Sequence, residues 1–407
     1  MTRLTTATPE FDEPTWRREQ RATALGVVKD RGLPDLADDV WKYAPLHELT
    51  LDDLELATPG ARSGATAIGG PTPAVVAFLS GGQVLDIESK GAIDGLSVTT
   101  EAPADELGRL VGPDDVFAAM NLAYSPGDLF VDVAPNARIE QPIVLLVDCP
   151  AGASFPRVLV RVGARGSVRV LEHVTGPSAS FVAGVAEYVV GDGATLEVAS
   201  VQSLGTSCWS VARTRAAVGA GATFRQVAVG LGARYDRVRA DALLEGEGAT
   251  SELQTAHVGT GDQVHDLRTM QVHIGRRTIS RLHSKAAVTD RAGSIYSGLI
   301  TMRHGAKKAD ARQVNNSLVL SEEARADAVP NLDIEENDVQ CAHASTVGPL
   351  DPEQRWYLES RGVDPFDAVQ LIITGFFYEI GGLLHDDALA SRLRDAIAGL
   401  SSERGGA

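Results

Sequence analysis

Val162-Gly163-Ala164-Arg165-Gly166-Ser167-Val168, Val190-Gly191-Asp192-Gly193-Ala194-Thr195-Leu196 and Val218-Gly219-Ala220-Gly221-Ala222-Thr223-Phe224 are three versions of one junction. In each, an apolar run closes on small residues and another run opens. Val162, Val190 and Val218 lie 28 residues apart, both times. Weaker echoes follow at Glu247-Gly248-Ala249-Thr250 and Arg291-Ala292-Gly293-Ser294-Ile295. A fixed period in this range marks a solenoid. The unit is β: Val168-Arg169-Val170-Leu171 and Leu196-Glu197-Val198-Ala199 are short runs rich in β-branched residues. Gly supplies the positive φ that a corner demands. One such unit cannot bury its apolar face alone, so it stacks on its neighbours. A coiled β-sheet, a β-helix, is therefore expected from Val158 to Leu320, in preference to a β-sandwich with coincidental spacing.

Working outward, Gly127-Asp128-Leu129-Phe130-Val131-Asp132-Val133 alternates with period two, and Pro142-Ile143-Val144-Leu145-Leu146-Val147 reads as a buried strand. Upstream, helices are expected over Pro14–Asp30, stopped by Gly32-Leu33-Pro34, over Leu49–Leu56 and over Asp114–Ala123. Val75–Leu79 before Gly81-Gly82 reads as a hairpin arm. Residues 1–10 read as unstructured, and Gly60–Pro73 as a loop. Downstream of Pro330 the composition turns helical. Gln354–Ser360 is one helix, Asp364-Pro365 caps a second, and Ala388–Leu400 is a third. The expected division is a mostly helical region over 1–124, a β-helix core over 125–330 and a C-terminal helical domain over 331–407.

The 407 residues carry 37 basic and 54 acidic side chains, a net charge of −17. That balance speaks against a nucleic-acid backbone or an anionic membrane as partner. Cys149, Cys208 and Cys341 are scattered, with no C-x-x-C pair and no disulfide framework. Met1–Gln20 lacks the apolar core of a secretory signal. Ala368–Leu384 is short and interrupted by Gln370 and Glu379, so it is not expected to span a bilayer. A cytoplasmic protein is the expectation.

Cys341-Ala342-His343 is the sharpest chemical feature. On an extended strand a thiol and an imidazole two residues apart share one face. Both suit iron or zinc. A cluster normally takes about four protein ligands, mostly Cys, and no other cysteine stands nearby in sequence. Any cluster here needs donors from a second chain; a buried thiol beside a hydrogen-bonded histidine is the bland alternative. His257, His265, His273 and His283 are nearly evenly spaced, which reads as one recurring position on a coiled sheet rather than a metal site. Gly259 and Gly261 lack the Lys-Ser/Thr of a phosphate loop. Trp41, Trp356 and Tyr357 read as packing anchors, and Lys307-Lys308 as a solvated corner.

From Pro330 to Phe376 the chain resembles the SufB/SufD family of iron–sulfur cluster assembly scaffolds. The residues that carry the resemblance are Val329-Pro330-Asn331-Leu332-Asp333-Ile334, Asp338-Val339-Gln340-Cys341-Ala342-His343-Ala344-Ser345-Thr346-Val347-Gly348, Tyr357-Leu358-Glu359-Ser360-Arg361-Gly362 and Gly375-Phe376. Upstream, Ser280, Lys285, Tyr296-Ser297-Gly298-Leu299-Ile300 and Asp310-Ala311-Arg312-Gln313-Val314-Asn315-Asn316-Ser317-Leu318 match as well. Trp41-Lys42-Tyr43 is a fainter echo. The resemblance covers most of residues 125–380. It implies a right-handed parallel β-helix flanked by helical domains, in a complex of SufB, SufD and two SufC ATPase subunits.

SufB-type chains carry a sulfur-accepting cysteine where this one has Asn315-Asn316-Ser317, and a His-Glu pair where this one has His343-Ala344. The resemblance is therefore closest to SufD, a non-catalytic scaffold subunit. It implies that His343, and more weakly Cys341, ligate a nascent iron–sulfur cluster transiently shared with SufB. It also implies a SufC-docking region at about Leu350–Ile380, with Tyr357, Leu358, Arg361 and Phe376 as contacts. Reduced flavin is associated with the assembled complex, and no flavin motif occurs in this chain. Whether the isolated chain is a monomer or a homodimer stays open. Two other readings remain: a parallel β-helix carbohydrate-active enzyme, and a self-associating β scaffold without metal.

Overall fold

The computed structural model describes residues 9, 11–34, 40–51, 54–60, 72–177 and 179–402. Nearly all of the stretch 1–10 and most of the loop at 60–73 lie outside the described residues. Helix α1 (Thr15–Arg31) is followed by strands β1 (Val75–Ser80), β2 (Gln83–Ser89) and β3 (Leu96–Thr99) and by helix α2 (Val116–Tyr124). The β body then comprises β4 (Leu129–Val133), β5 (Ile143–Asp148), β6 (Gly152–Ser154), β7 (Arg157–Val162), β8 (Ser167–Gly176), β9 (Ala179–Val190), β10 (Thr195–Leu204), β11 (Trp209–Val218), β12 (Thr223–Gly230), β13 (Tyr235–Leu244), β14 (Thr250–Gly259), β15 (Val264–His273), β16 (Ile279–Val288), β17 (Gly293–Met302), β18 (Asp310–Val319), β19 (Arg325–Ile334) and β20 (Gln340–Gly348). Helices α3 (Pro352–Ser360), α4 (Pro365–Leu383) and α5 (Asp387–Ser402) follow.

From β7 onward, consecutive strands enter different sheets. One sheet runs β5-β8-β10-β12-β14-β16-β18-β20 and the other β4-β7-β9-β11-β13-β15-β17-β19, parallel throughout. The result is a parallel β-solenoid in which each coil contributes one strand to each sheet. At the first end, β1 joins β5 and pairs antiparallel with β2, while β3 pairs antiparallel with β4.

The 28-residue period of the sequence is the coil step itself. Val162 pairs with Val190 and Val190 with Val218, and the same column continues through Leu244, His273, Met302 and Ile334. Later echoes are faint because the corners vary: the step from Val218 to Leu244 is shorter, and that from Met302 to Ile334 longer. Each corner before β8, β10, β12, β14, β16 and β18 holds a left-handed residue two positions before the strand. Glycine takes that place at 193, 221 and 248, but Arg165, Arg277 and Lys308 take it elsewhere, with φ of 59°, 55° and 64°. The N–H of each of these six residues donates to a carbonyl of the next coil's corner, as in Gly193 to Ala220 at 2.7 Å and Gly248 to Arg276 at 2.8 Å. That coil-to-coil hydrogen bond rewards the strained φ even without glycine.

Helices cover the outer faces. On one sheet, α1 and α2 pack through Phe117, Tyr124, Phe155, Phe181, Trp209 and Tyr235. Asp115 caps α2, accepting from the amides of Phe117 and Ala118. Arg157 and Glu187 form a fully buried ion pair, with Glu187 also accepting from the amides of Gly108, Leu110 and Val111. Trp41 is buried, and the Arg237 guanidinium lies 3.7 Å over its ring, so it is the packing anchor expected. On the other sheet, Ile373, Phe377 and Ile380 of α4 and Leu389, Leu393 and Ile397 of α5 pack on Val201, Val229, Ala256 and Val258. Helix α4 is apolar and long enough to cross a bilayer by composition, but its apolar stripe lies against the sheet. Asp364 caps it and Pro365 opens it, as its sequence announces.

Two expectations need correction. The strands do not stop at residue 330: β19 runs across Pro330 and β20 ends at Gly348. The composition changes there because the last coil is uncovered, not because the β body ends. The first 124 residues are also less helical than expected. Around 49–56, no helix forms among the described residues, and the polypeptide near Leu46–Glu48 makes only one 3-10 turn.

Corner stacking leaves no room for side chains on the inner turn. A Cβ at Gly246 would lie 2.0 Å from the Ala220 nitrogen of the adjacent coil. Gly246→Ala should destabilise the fold by about 1–3 kcal/mol, the usual cost of overpacking. Urea unfolding would read this as a lowered midpoint, and an unchanged midpoint would contradict the stacking.

Candidate functional site

Among the described residues, the last coil, β19 and β20, has no strand on its outer side. Cys341 pairs in register with Ala311, His343 with Gln313, and Ser345 with Asn315. Ala311, Gln313 and Asn315 are buried interior residues of the preceding coil. Their partners therefore stand on the same, inward side, yet His343 and Ser345 are exposed because no further coil among the described residues covers them. The motif Cys341-Ala342-His343 thus presents both donors on one face at an open end. Cys341 is half-buried against Ile300, Met302 and Ala309. That burial, with Asp310 nearby, pushes its thiol above the usual range. Val329, Leu332, Ile334 and Val347 add exposed apolar side chains to the same coil. Among the described residues no three His, Cys, Asp or Glu side chains converge as a ready-made metal site.

Beneath this end the Gln313 amide is buried with neither its oxygen nor its nitrogen hydrogen-bonded. Asn315 donates from Nδ2 to Ser345 Oγ at 3.3 Å, and His283 Nε2 lies 3.0 Å from Asn316 Oδ1. At Asn315-Asn316-Ser317 the structure holds amides and a hydroxyl, with no thiol.

The C-terminal helices form a second exposed surface. Trp356, at 69% exposure, and Tyr357, Phe366, Leu371 and Tyr378 project outward. Trp356 and Tyr357 are therefore not packing anchors, contrary to the expectation from sequence: α3 is a short helix with no buried residue. The Arg361 guanidinium lies 5.2 Å from the Tyr357 ring centre. Leu358 is half-buried. Phe376 is already engaged: its carbonyl accepts from Lys285 Nζ at 2.6 Å, and its ring faces the same ammonium at 5.3 Å. Lys285 thereby pins α4 to the solenoid.

The family model for the SUF system FeS cluster assembly SufBD core domain matches residues 146–376, more than half of the chain. That range runs from the early solenoid coils through the open end to Phe376 on α4. The chain belongs to the SufBD family. It is 30% identical over 285 residues to the iron–sulfur cluster assembly protein SufD of Bacillus subtilis, covering 69% of this chain and 65% of that protein. It is 27% identical to a SufBD family protein of Synechocystis, covering 94% of this chain and 90% of the relative. Over a shorter 163-residue stretch, 40% of this chain and 38% of the relative, it is 34% identical to Escherichia coli SufD.

In this SufBD protein the interior carries buried polar groups from β13 onward. Asp236, Ser251, Thr255, His265, Gln271 and Gln313 each hold a buried oxygen or nitrogen without a hydrogen-bond partner. The evenly spaced histidines do not share one register position: His257 pairs with Ala286, and His283 pairs with Gln254. His257 and His265 instead flank one corner, and their rings face each other with centres 5.4 Å apart. Asp236, in register with His265 one coil earlier, had no local sequence motif to mark it. Only the coil step connects the two. Cys149 and Cys208 are buried, and burial pushes the Cys208 thiol up to about 12, so neither offers a ready thiolate.

His273 sits between Thr278 Oγ1 at 2.7 Å and Ser280 Oγ at 2.9 Å, and burial holds it down at about 4. Burial, with Arg392 nearby, does the same to His173, also at about 4. Below pH of about 6.5, the unfolded chain takes up protons that these folded imidazoles refuse until about pH 4, so stability is lost as pH falls through that window. Urea midpoints should decline between those limits. His273→Gln, which keeps both hydroxyl partners, should decline less steeply, and identical slopes would contradict the neutral buried imidazole.

Proposed function

We propose that this chain is a SufD-type, non-catalytic scaffold subunit of a complex that assembles iron–sulfur clusters. The observation that carries the reading is the open final coil. Its inward face presents a thiol and an imidazole, too few donors for a cluster, beside exposed apolar residues that suit a partner. A parallel strand with a free edge is a template for another strand. β20 contains no proline, whereas β19 carries Pro330, so β20 is the better edge for pairing. A SufB-type solenoid paired there would bring further ligands opposite His343 and Cys341, and the nascent cluster would be shared between the two chains as cargo. Burial keeps the Cys341 thiol protonated in the free chain, which makes His343 the stronger of the two donors.

The aromatic surface of α3 and α4 is the proposed dock for a SufC-type ATPase, through Tyr357, Leu358 and Arg361, with Trp356 beside them. Phe376 contributes by holding α4 on Lys285 rather than by direct contact. Closure of two ATPase subunits would then pull on α4 and, through Lys285, on the coils that lead to the open end. Flavin, if used, belongs to the complex as a whole. A cytoplasmic location agrees with the reading.

Two measurements test it. His343→Ala, co-expressed with SufB- and SufC-type partners, should leave the complex intact while cluster formation falls; anaerobic iron and sulfide analysis with unchanged yield would count against the ligand role. Trp356→Ala with Tyr357→Ala should weaken ATPase binding by about 2 kcal/mol, roughly 30-fold, as aromatic hot spots do, with SufB pairing unaffected. Equal recovery of the ATPase would reject the dock.

A further inference from the structure

Inside the solenoid, well before the open end, Asp236 and His265 face each other as a long, buried ion pair. Asp236 Oδ2 and His265 Nδ1 are 3.5 Å apart, and both side chains are about 1% exposed. That separation is too long for a good hydrogen bond. Among the described residues, neither oxygen of Asp236 and neither ring nitrogen of His265 meets a hydrogen-bond partner, so the long ion pair between them is what offsets their burial. A buried carboxylate left in this state is costly, and such a group calls for an ion or a water. Gly230 shows where it would go. A Cβ on Gly230 would lie 2.7 Å from Asp236 Oδ2, 3.2 Å from His265 Nδ1 and 2.8 Å from His257 Cδ2. Three side chains from two sheets thus converge over the bare face of one glycine. A cavity of about 90 Å³ opens on Asp236, His257 and Gly230, and Gln202, Ser210 and Gln226 also line it.

We propose that Asp236, His257 and His265 form a buried site for a divalent first-row transition cation of the Zn(II) or Fe(II) class, with a further position open to the cavity. Two imidazoles and one carboxylate are the donor set such ions take. Ligand atoms on a tetrahedral ion with bonds of about 2.0–2.1 Å stand roughly 3.4 Å apart, which matches the separation of Asp236 Oδ2 and His265 Nδ1. His257 now turns its Cδ2 edge to the others, so no three ligand atoms meet there. A half-turn of the ring exchanges Cδ2 for Nδ1 and fills the same space. Gly230 is required because any side chain would fill the cradle. His265 Nε2 then needs a water, since no protein group serves it. This site is separate from His343 and does not depend on the scaffold reading.

Cobalt(II) is the probe. Titrated anaerobically into the purified full chain, it should give the visible absorption of a tetrahedral, nitrogen- and oxygen-ligated ion at stoichiometric loading. A variant with both Cys341→Ala and His343→Ala should bind equally well, which separates this site from the open end. Asp236→Asn and His265→Gln should weaken binding by at least the roughly 10–100-fold that loss of even a supporting group costs a metal site. Gly230→Ala, which keeps all three ligands, should abolish it. Thermal unfolding of the unaltered chain needs no variant, and cobalt(II) or zinc(II) should raise its midpoint. Absence of both the absorption and the midpoint shift in the unaltered chain would overturn the proposal. So would cobalt binding that Gly230→Ala leaves intact, or binding lost only with Cys341 and His343.

Discussion

In-register hydrogen bonding between successive coils is the constraint from which the rest of this molecule follows. Each backbone group along a coil is satisfied by the coil before and the coil after, so a side chain's surroundings are fixed by what stands one step away. The column from Val162 to Ile334 shows the rule: its members are buried as far as Met302, and only Ile334, with nothing beyond it, is exposed. The corners obey the same rule. A left-handed residue is tolerated at Arg165, Arg277 and Lys308 because its N–H meets the next coil. Gly246 is small because the adjacent corner backbone occupies the space a Cβ would need.

The same stacking explains why polar groups can be buried in such number. The early coils are filled by Val158, Val160, Val170, Leu196 and Val198. Later coils place Ser251, Thr255, His265, Gln271 and Gln313 inside. Those coils still hold together, because the sheet ladders do not depend on what the interior side chains do. The outer faces contribute the apolar burial, through α1 and α2 on one side and α4 and α5 on the other. The interior is thereby left free to carry polar atoms with unmet hydrogen-bonding capacity, which a small core would not tolerate.

The solenoid was readable because two consecutive coil steps kept the same length and three corners repeated their small residues. The caps of α2 and α4 were readable from Asp115 and from Asp364-Pro365, which act within one turn of chain. The motif at Cys341 and His343 could be placed on one face from two-residue spacing alone. What escaped was decided by tertiary context. Trp356 and Tyr357 have the composition of core residues, yet α3 touches the rest of the fold mainly along α4 and buries no residue fully. The end of the β body was misjudged because an uncovered coil has the polar surface of a linker. Asp236, His257 and His265 sit on three strands in two sheets, and only a correct coil step of 29 residues between Asp236 and His265 brings the first and last together.

The antiparallel strands β2 and β3 have a consequence for where assembly can proceed. They terminate both sheets at the first end with chain running the opposite way, so no parallel coil can be added there. Among the described residues, the parallel edge left unpaired is that of the last coil, β19 and β20. A partner that continues the solenoid coil upon coil would therefore find its matching parallel edge at one end of the rod and not at both.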